Sequence, residues 1–278
     1  MIVSIVELNG GLGNQMFIYA FYYALSKKAS FWLTEIDVEA SYTHHNGYEL
    51  SSIFKKIPPI KKKYQRRIKK VHTTYLTKYI FRTVKENKSG IFQAVYSHCF
   101  PFIVYKGFWQ SELYFKEYTS DIRNIFQFQF DYLNTKTKII FDTITNCQSV
   151  SVHIRKGDYS FNEELNGACT LEYYINAIKI VEKKLENPVY FVFSDDLEWV
   201  KNNFVFINYY LIDWNKDTDS WQDMFLMSTC KHNIIANSTF SWWGAWLNKY
   251  EQKIVIAPKR WFKTWDAKDI VPQNWIKI

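Results

Sequence analysis

Asn9-Gly10-Gly11-Leu12-Gly13-Asn14-Gln15 lies between an apolar run, Ile2 to Leu8, and a helix-like stretch from Met16 to Leu25. It gathers three of the chain's nine glycines within four positions. Strand, glycine turn and helix in that order bring backbone N–H groups close to a phosphate-bearing ligand. Gly11 and Gly13 fit the first two glycines of a dinucleotide fingerprint, with Glu35 or Asp37 as its ribose-binding acid. The third position of that fingerprint is Met16, a long side chain where close helix–strand packing wants none. A tight turn without a ligand is the plainer alternative. Asn14 and Gln15 place two amides at the start of the helix, where they suit a polar ligand.

Downstream, Phe31–Thr34 and Phe102–Val104 read as strands, and Ile122 to Phe130 as helical or irregular. The spacing of Ile68, Val71, Tyr75, Leu76 and Tyr79 predicts a helix over 64–85. The second half has a clearer rhythm. Ser149–Ile154 is a β-rich run, and Thr170 is the expected N-cap of an amphipathic helix that ends before Pro188. Val189–Phe193 is a continuous apolar run of the buried parallel type. Strand signals at 206–212, 234–236 and 254–257 alternate with helical patterns at 220–230 and 239–247. Such alternation predicts parallel sheets with helices on their faces. The expected domains are 1–140 and 141–278.

Aromatic residues make up 19% of the 278-residue chain, which suits rings packed against sugar or lipid as well as an aromatic-rich core. The four cysteines, Cys99, Cys147, Cys169 and Cys230, form no C-x-x-C pair, which argues against a zinc ribbon or redox motif and for a reducing compartment. Ile2 to Leu8 is too short for a signal peptide, and no apolar run reaches the ~18 residues of a membrane span. A cytoplasmic protein is expected. Net charge is +8, and nine basic residues with no acidic one fall between Lys55 and Lys70, so the remainder is near neutral. This band suits nucleic acid, the inner face of an anionic membrane or a phosphorylated acceptor, or it is a solvated helix face. No nucleic-acid-reading module surrounds it.

Chemistry-bearing residues follow the predicted strands, where open α/β sheets gather ligands. His153 and Arg155 alternate onto one strand face, and Arg suits a forked grip on a diphosphate. Gly157 permits a turn that returns Asp158 toward the same place. Asp195 and Asp196 follow the buried strand, placed to hold a nucleoside or to cap the next helix. Asn237, Ser238, Thr239 and Ser241 set small polar side chains at a helix start, which suits an anion site; the plainer alternative is that Ser238 is simply an N-cap. Two of Trp242, Trp243 and Trp246 are expected in the core.

Gly10 to Phe17, the segment His153-x-Arg155-x-Gly157-Asp158-Tyr159, and Asn237 to Gly244 resemble, in that order, the motifs of the α-1,2-fucosyltransferases of glycosyltransferase family 11. Lys156 and Ile18 depart from the family pattern, where a second Arg and a Gln are common. The resemblance implies a GT-B fold, two Rossmann-like domains facing a central cleft. The N-terminal half would shape the acceptor site, and the C-terminal half would hold GDP-fucose. It implies inverting transfer of L-fucose to the 2-hydroxyl of a terminal galactose, with no metal and no cofactor. Arg155 and the backbone at Ser238 and Thr239 would hold the departing diphosphate. His153 would contact the nucleotide or orient Arg155. Gly11, Gly13 and Asn14 would face the diphosphate or the fucose, Asp195 and Asp196 would hold guanosine, and Asp158, with Glu163 behind it, would take the proton. The acceptor would be a bacterial glycan such as a lipid-linked O-antigen unit. The competing readings are a non-catalytic carbohydrate-binding scaffold and a nicotinamide-dependent dehydrogenase.

Overall fold

The computed structural model describes residues 3–28, 33–38, 46–59, 81–86, 91–95, 102–156, 168–263 and 268–278. Asp158, Glu163, Cys99 and the band from Lys61 to Lys70 lie outside the described residues, as does most of the helix expected over 64–85. The chain forms two compact units: 1–129 with 268–270, and 130–267 with 271–278.

Unit 1 holds strands β1 (Val3–Glu7), β2 (Leu33–Asp37), β3 (Arg82–Lys85) and β4 (Phe102–Lys106), and helices α1 (Leu12–Lys28), α2 (Leu50–Ile53) and α3 (Thr119–Ile125). Its sheet runs β2-β1-β4-β3, every pair parallel. Residues 82–85, expected at the end of a helix, are thus a strand, in which Thr83 and Val84 supply the branched side chains that suit a pleat. Helix α1 begins at Leu12, earlier than the apolar pattern suggests. Gly10 turns the chain with φ +79°, and the Gly11 carbonyl then accepts from Gln15 N at 3.0 Å. Met16, Phe17, Phe21 and Leu25 face the core, where the Phe21 ring stacks on Trp109 at 4.1 Å.

Unit 2 holds α4 (Thr135–Thr145), β5 (Gln148–Ile154), α5 (Leu171–Glu182), β6 (Pro188–Ser194), α6 (Leu197–Asn203), β7 (Tyr209–Ile212), α7 (Trp221–Thr229), β8 (His232–Ile234), α8 (Thr239–Leu247), β9 (Val255–Ala257) and β10 (Ile276–Lys277). The sheet runs β10-β9-β8-β5-β6-β7, again wholly parallel. Val150, Val152 and Ile154 of β5 pack with Val192, Tyr174, Ile178, Ile234 and Ile256 in one buried cluster. The buried serines of β5 are satisfied across the sheet: Ser149 Oγ accepts from Lys231 N at 3.0 Å, and Ser151 Oγ from Asn233 Nδ2 at 2.7 Å. Trp242, Trp243 and Trp246 are all buried, one more than expected.

The units divide at 129/130, not at 140/141, because α4 is tied to α7 and the segment before it. Asn134 N donates to Gln222 Oε1 at 2.9 Å. Asn215 Oδ1 accepts from Asn134 Nδ2 at 2.8 Å and from Thr137 Oγ1 at 3.1 Å, and Asn215 Nδ2 donates to Asp223 Oδ1 at 2.7 Å. At the other end of the chain, Asp269 belongs to unit 1. Its carboxylate accepts from Phe92 N at 2.8 Å, and its carbonyl from Ser111 Oγ at 2.6 Å.

Candidate functional site

Parallel strands deliver all their carboxyl ends to one edge of a sheet, and that edge is where α/β folds hold ligands. In unit 2 the central strand β5 lies between β8 and β6, with Ile154 opposite Ser194 and Val152 opposite Ile234. The segments leaving these strands start at Arg155, Asp195 and Ile235, so they emerge side by side.

Arg155 Nε lies 3.2 Å from Asp195 Oδ2, and both side chains keep partial contact with solvent. The other oxygen of Asp195 accepts from Lys156 N at 2.9 Å. One carboxylate therefore holds both the guanidinium and the backbone of the turn that carries it. Asp196 takes the capping role: its Oδ1 accepts from Trp199 N at 2.9 Å and closes the start of α6. Lys156 sends its Nζ to the Cys169 carbonyl at 2.9 Å and lies 4.8 Å from the Trp199 ring centre.

His153 is 5% exposed, and its Nδ1 is buried with no hydrogen-bond partner among the described residues. Burial, reinforced by the Arg155 charge, pushes its pKa down to about 3, so the ring is neutral. The imidazole lies beside Phe240, with ring centres 6.0 Å apart, in the first turn of α8. Its strand is fixed from behind, where Tyr174 Oη donates to the His153 carbonyl at 3.0 Å. A buried nitrogen without a partner is costly unless another polar group completes it.

Helix α8 opens without a side-chain cap. Ser238 is buried at the N-cap position but accepts no hydrogen bond from the first turn. The positive end of the helix is thus offered to another acceptor. Ser241 is fully buried and donates its hydroxyl to the Ser238 carbonyl at 3.3 Å, which makes it a brace within the helix. Asn237 likewise holds the turn, donating to the Trp261 carbonyl at 3.0 Å and accepting from Cys169 Sγ at 3.6 Å. Ser238 and Thr239 remain at the uncapped start of α8.

The structure brings His153, Arg155, Asp195 and the Asn237–Ser241 turn to one edge of unit 2. Gly11, Gly13 and Asn14 lie at the corresponding edge of unit 1. Gly11 ends the turn, Gly13 is buried in the first turn of α1, and Asn14 Oδ1 accepts from Gln110 Nε2 at 2.9 Å. Gln15 is wholly buried: it donates to the Gly10 and Gly47 carbonyls at 2.9 and 2.7 Å and accepts from Glu49 N at 3.0 Å, so it braces the fold. Sequence reasoning missed Tyr174, Cys169 and Phe240; the only signal for Lys156 was its replacement of the expected Arg. Among the described residues, no three His, Cys, Asp or Glu side chains converge as a metal site.

The chain is 36% identical to the α-1,2-colitosyltransferase of Escherichia coli, over 100% of this chain and 99% of that one. It is 33% identical to the O-antigen biosynthesis glycosyltransferase WbnK of the same species, over 98% and 99%. Among solved structures it resembles the α-1,6-fucosyltransferase NodZ co-crystallised with GDP, with a TM-score of 0.57 and 13% identity over 87% of this chain and 91% of that one. That likeness and the two parallel-sheet units give a GT-B fold. Residues 3–278 match the family described as glycosyl transferase family 11, and with these relatives spanning its whole length the chain belongs to that family.

Proposed function

We propose that the protein is an inverting α-1,2-fucosyltransferase that moves L-fucose from GDP-fucose to the 2-hydroxyl of a terminal galactose in a bacterial glycan. One observation carries this reading. Arg155, the unpartnered nitrogen of neutral His153 and the uncapped start of α8 stand at the carboxyl ends of adjacent strands. Together they offer a cation, a neutral imidazole and backbone N–H groups to one dianionic group.

In the proposed step the acceptor oxygen bonds to the anomeric carbon from the face opposite the nucleotide. The bond from that carbon to the β-phosphate oxygen breaks, and its electron pair leaves on GDP. Arg155 and the N–H groups at Ser238 and Thr239 stabilise the charge that grows on the diphosphate. His153 hydrogen-bonds the nucleotide and stays neutral. Asp195, already committed to Arg155 and Lys156 N, orients the guanidinium rather than gripping guanosine. Asp158 takes the acceptor proton, with Glu163 as its substitute. No metal enters this scheme, and activity that vanishes with EDTA and returns with Mg²⁺ or Mn²⁺ contradicts it.

Arg155→Ala should lower kcat by roughly 100- to 1,000-fold with the melting temperature unchanged, the usual cost of losing one preorganised charge-stabilising group. Near-normal turnover sinks the central role of Arg155. GDP should raise the melting temperature of the wild type, and NAD should not.

A second donor is favoured by the 36% identity to a colitosyltransferase across the whole chain. Colitose is fucose without its 3-hydroxyl, so the same diphosphate machinery serves both. Competing GDP-fucose against GDP-colitose, read by product mass, decides between them.

A further inference from the structure

Unit 1 carries a second built surface, at the carboxyl ends of β1, β3 and β4. The chain leaves β4 through Gly107-Phe108-Trp109-Gln110. Glu86, just beyond β3, grips this turn with both oxygens: Oε2 accepts from Phe108 N at 2.7 Å and Oε1 from Gln110 N at 3.0 Å. The approach is so close that a Cβ on Gly107 would lie 2.3 Å from Glu86 Cβ. Trp109 adopts φ +55°, a conformation that a bulky residue holds only when its surroundings impose it. Its ring is fully buried against Phe21.

This turn sends Phe108 outward and the next residue, Trp109, inward. Phe108 is 40% exposed, a large ring held at the surface by a rigid backbone. Its edge lies over Gly10, where a Cβ would sit 3.3 Å from Phe108 Cε1 and 2.9 Å from Asn14 Nδ2. Asn14 in turn accepts from Gln110 Nε2. Ring, bare glycine backbone and paired amides therefore make one continuous patch. A pyranose matches it, with an apolar C–H face for the ring and hydroxyls for the amides.

We infer that Phe108 is the stacking platform of an acceptor-sugar subsite in unit 1, with Asn14 and Gln110 hydrogen-bonding the sugar's hydroxyls and Glu86 acting as a positioning residue for the turn. The inference rests on the glycosyltransferase reading for the identity of the ligand, but its test does not need turnover.

The test is saturation-transfer NMR with methyl β-galactopyranoside, irradiating aromatic protons of the wild type, Phe108→Ala, Phe108→Trp and Glu86→Gln. The wild type and Phe108→Trp should transfer saturation to the sugar's C–H face, Phe108→Ala should lose it, and Glu86→Gln should weaken it. Equal transfer in Phe108→Ala, or none in the wild type, overturns the subsite. In turnover assays Phe108→Ala should raise the acceptor KM roughly 3- to 10-fold, with the donor KM unchanged. Thermal shift with GDP is run on the same variants. A shift retained in Phe108→Ala shows that the variant is folded, whereas its absence in the wild type counts against the donor reading and leaves the NMR result standing.

Discussion

His153 is buried as a neutral ring, and this sets how the fold meets acid. Its folded pKa is depressed to about 3, first by burial and then by Arg155, against about 6.5 in an unfolded chain. Below pH 6.5 the unfolded state takes up a proton that the folded state refuses, so His153 removes stability as pH falls from about 6.5 toward 3. His153→Gln should therefore lose less stability than the wild type across that window, as measured by urea midpoints. The variant should turn over more slowly with an unchanged acid limb in its pH–rate profile. A shifted acid limb would mean that the imidazole titrates during turnover. At this scale the spacing of His153 and Arg155 is legible in the sequence, because period-two alternation is local physics. It does not identify Asp195 as the partner of Arg155, a pairing that depends on β5 and β6 being neighbours.

Helix α8 is held by close packing along its length. It lies against α7 at Gly244, where a Cβ would come within 2.8 Å of Met227 Cβ and 3.4 Å of Met227 Sδ. Neither backbone gives way easily, so Gly244→Ala should cost about 1–3 kcal/mol through overpacking despite alanine's better helix propensity. A lower melting temperature with weaker GDP binding is the expected result. An unchanged melting temperature would show that the two helices slide apart freely. The pattern of elements was largely legible where apolar runs are long, as in β6 and α5. It failed at β3, where a helix-like spacing upstream was carried through Arg82–Lys85, and at β10, whose two residues exist as a strand only because β9 is there to pair with them. Tryptophan burial was underestimated: Trp242, Trp243 and Trp246 are all buried, and Trp242 and Trp246 stack at 6.1 Å.

Across the whole molecule, the unit assignment rests on polar groups as much as on apolar ones. Burial pushes the Asp223 carboxyl up to about 8, with Asn215 Nδ2 as its hydrogen-bond donor. Raised above its unfolded value, this group stabilises the fold fully below about pH 4, and that contribution is lost as pH rises toward 8. Asp223→Asn keeps the shape and removes the titration. Its stability relative to the wild type should therefore climb between pH 4 and 8, as measured by denaturant midpoints; a constant difference would refute the assignment. The parallel α/β class was readable because alternating strands and helices leave few other topologies. The domain joint was not readable, since Asn134, Asn215 and Gln222 carry no hydrophobic pattern and meet only through long-range pairing.

Asp269 shows that the first unit is not written in one piece of the gene. A fragment ending at Gln129 would leave the Phe92 amide and the Ser111 hydroxyl without their acceptor. Chimeras that exchange halves between relatives should therefore carry residues 268–270 along with the amino-terminal block. Recombination at the obvious midpoint would divide a module whose last three residues follow nearly the whole of the second unit in sequence.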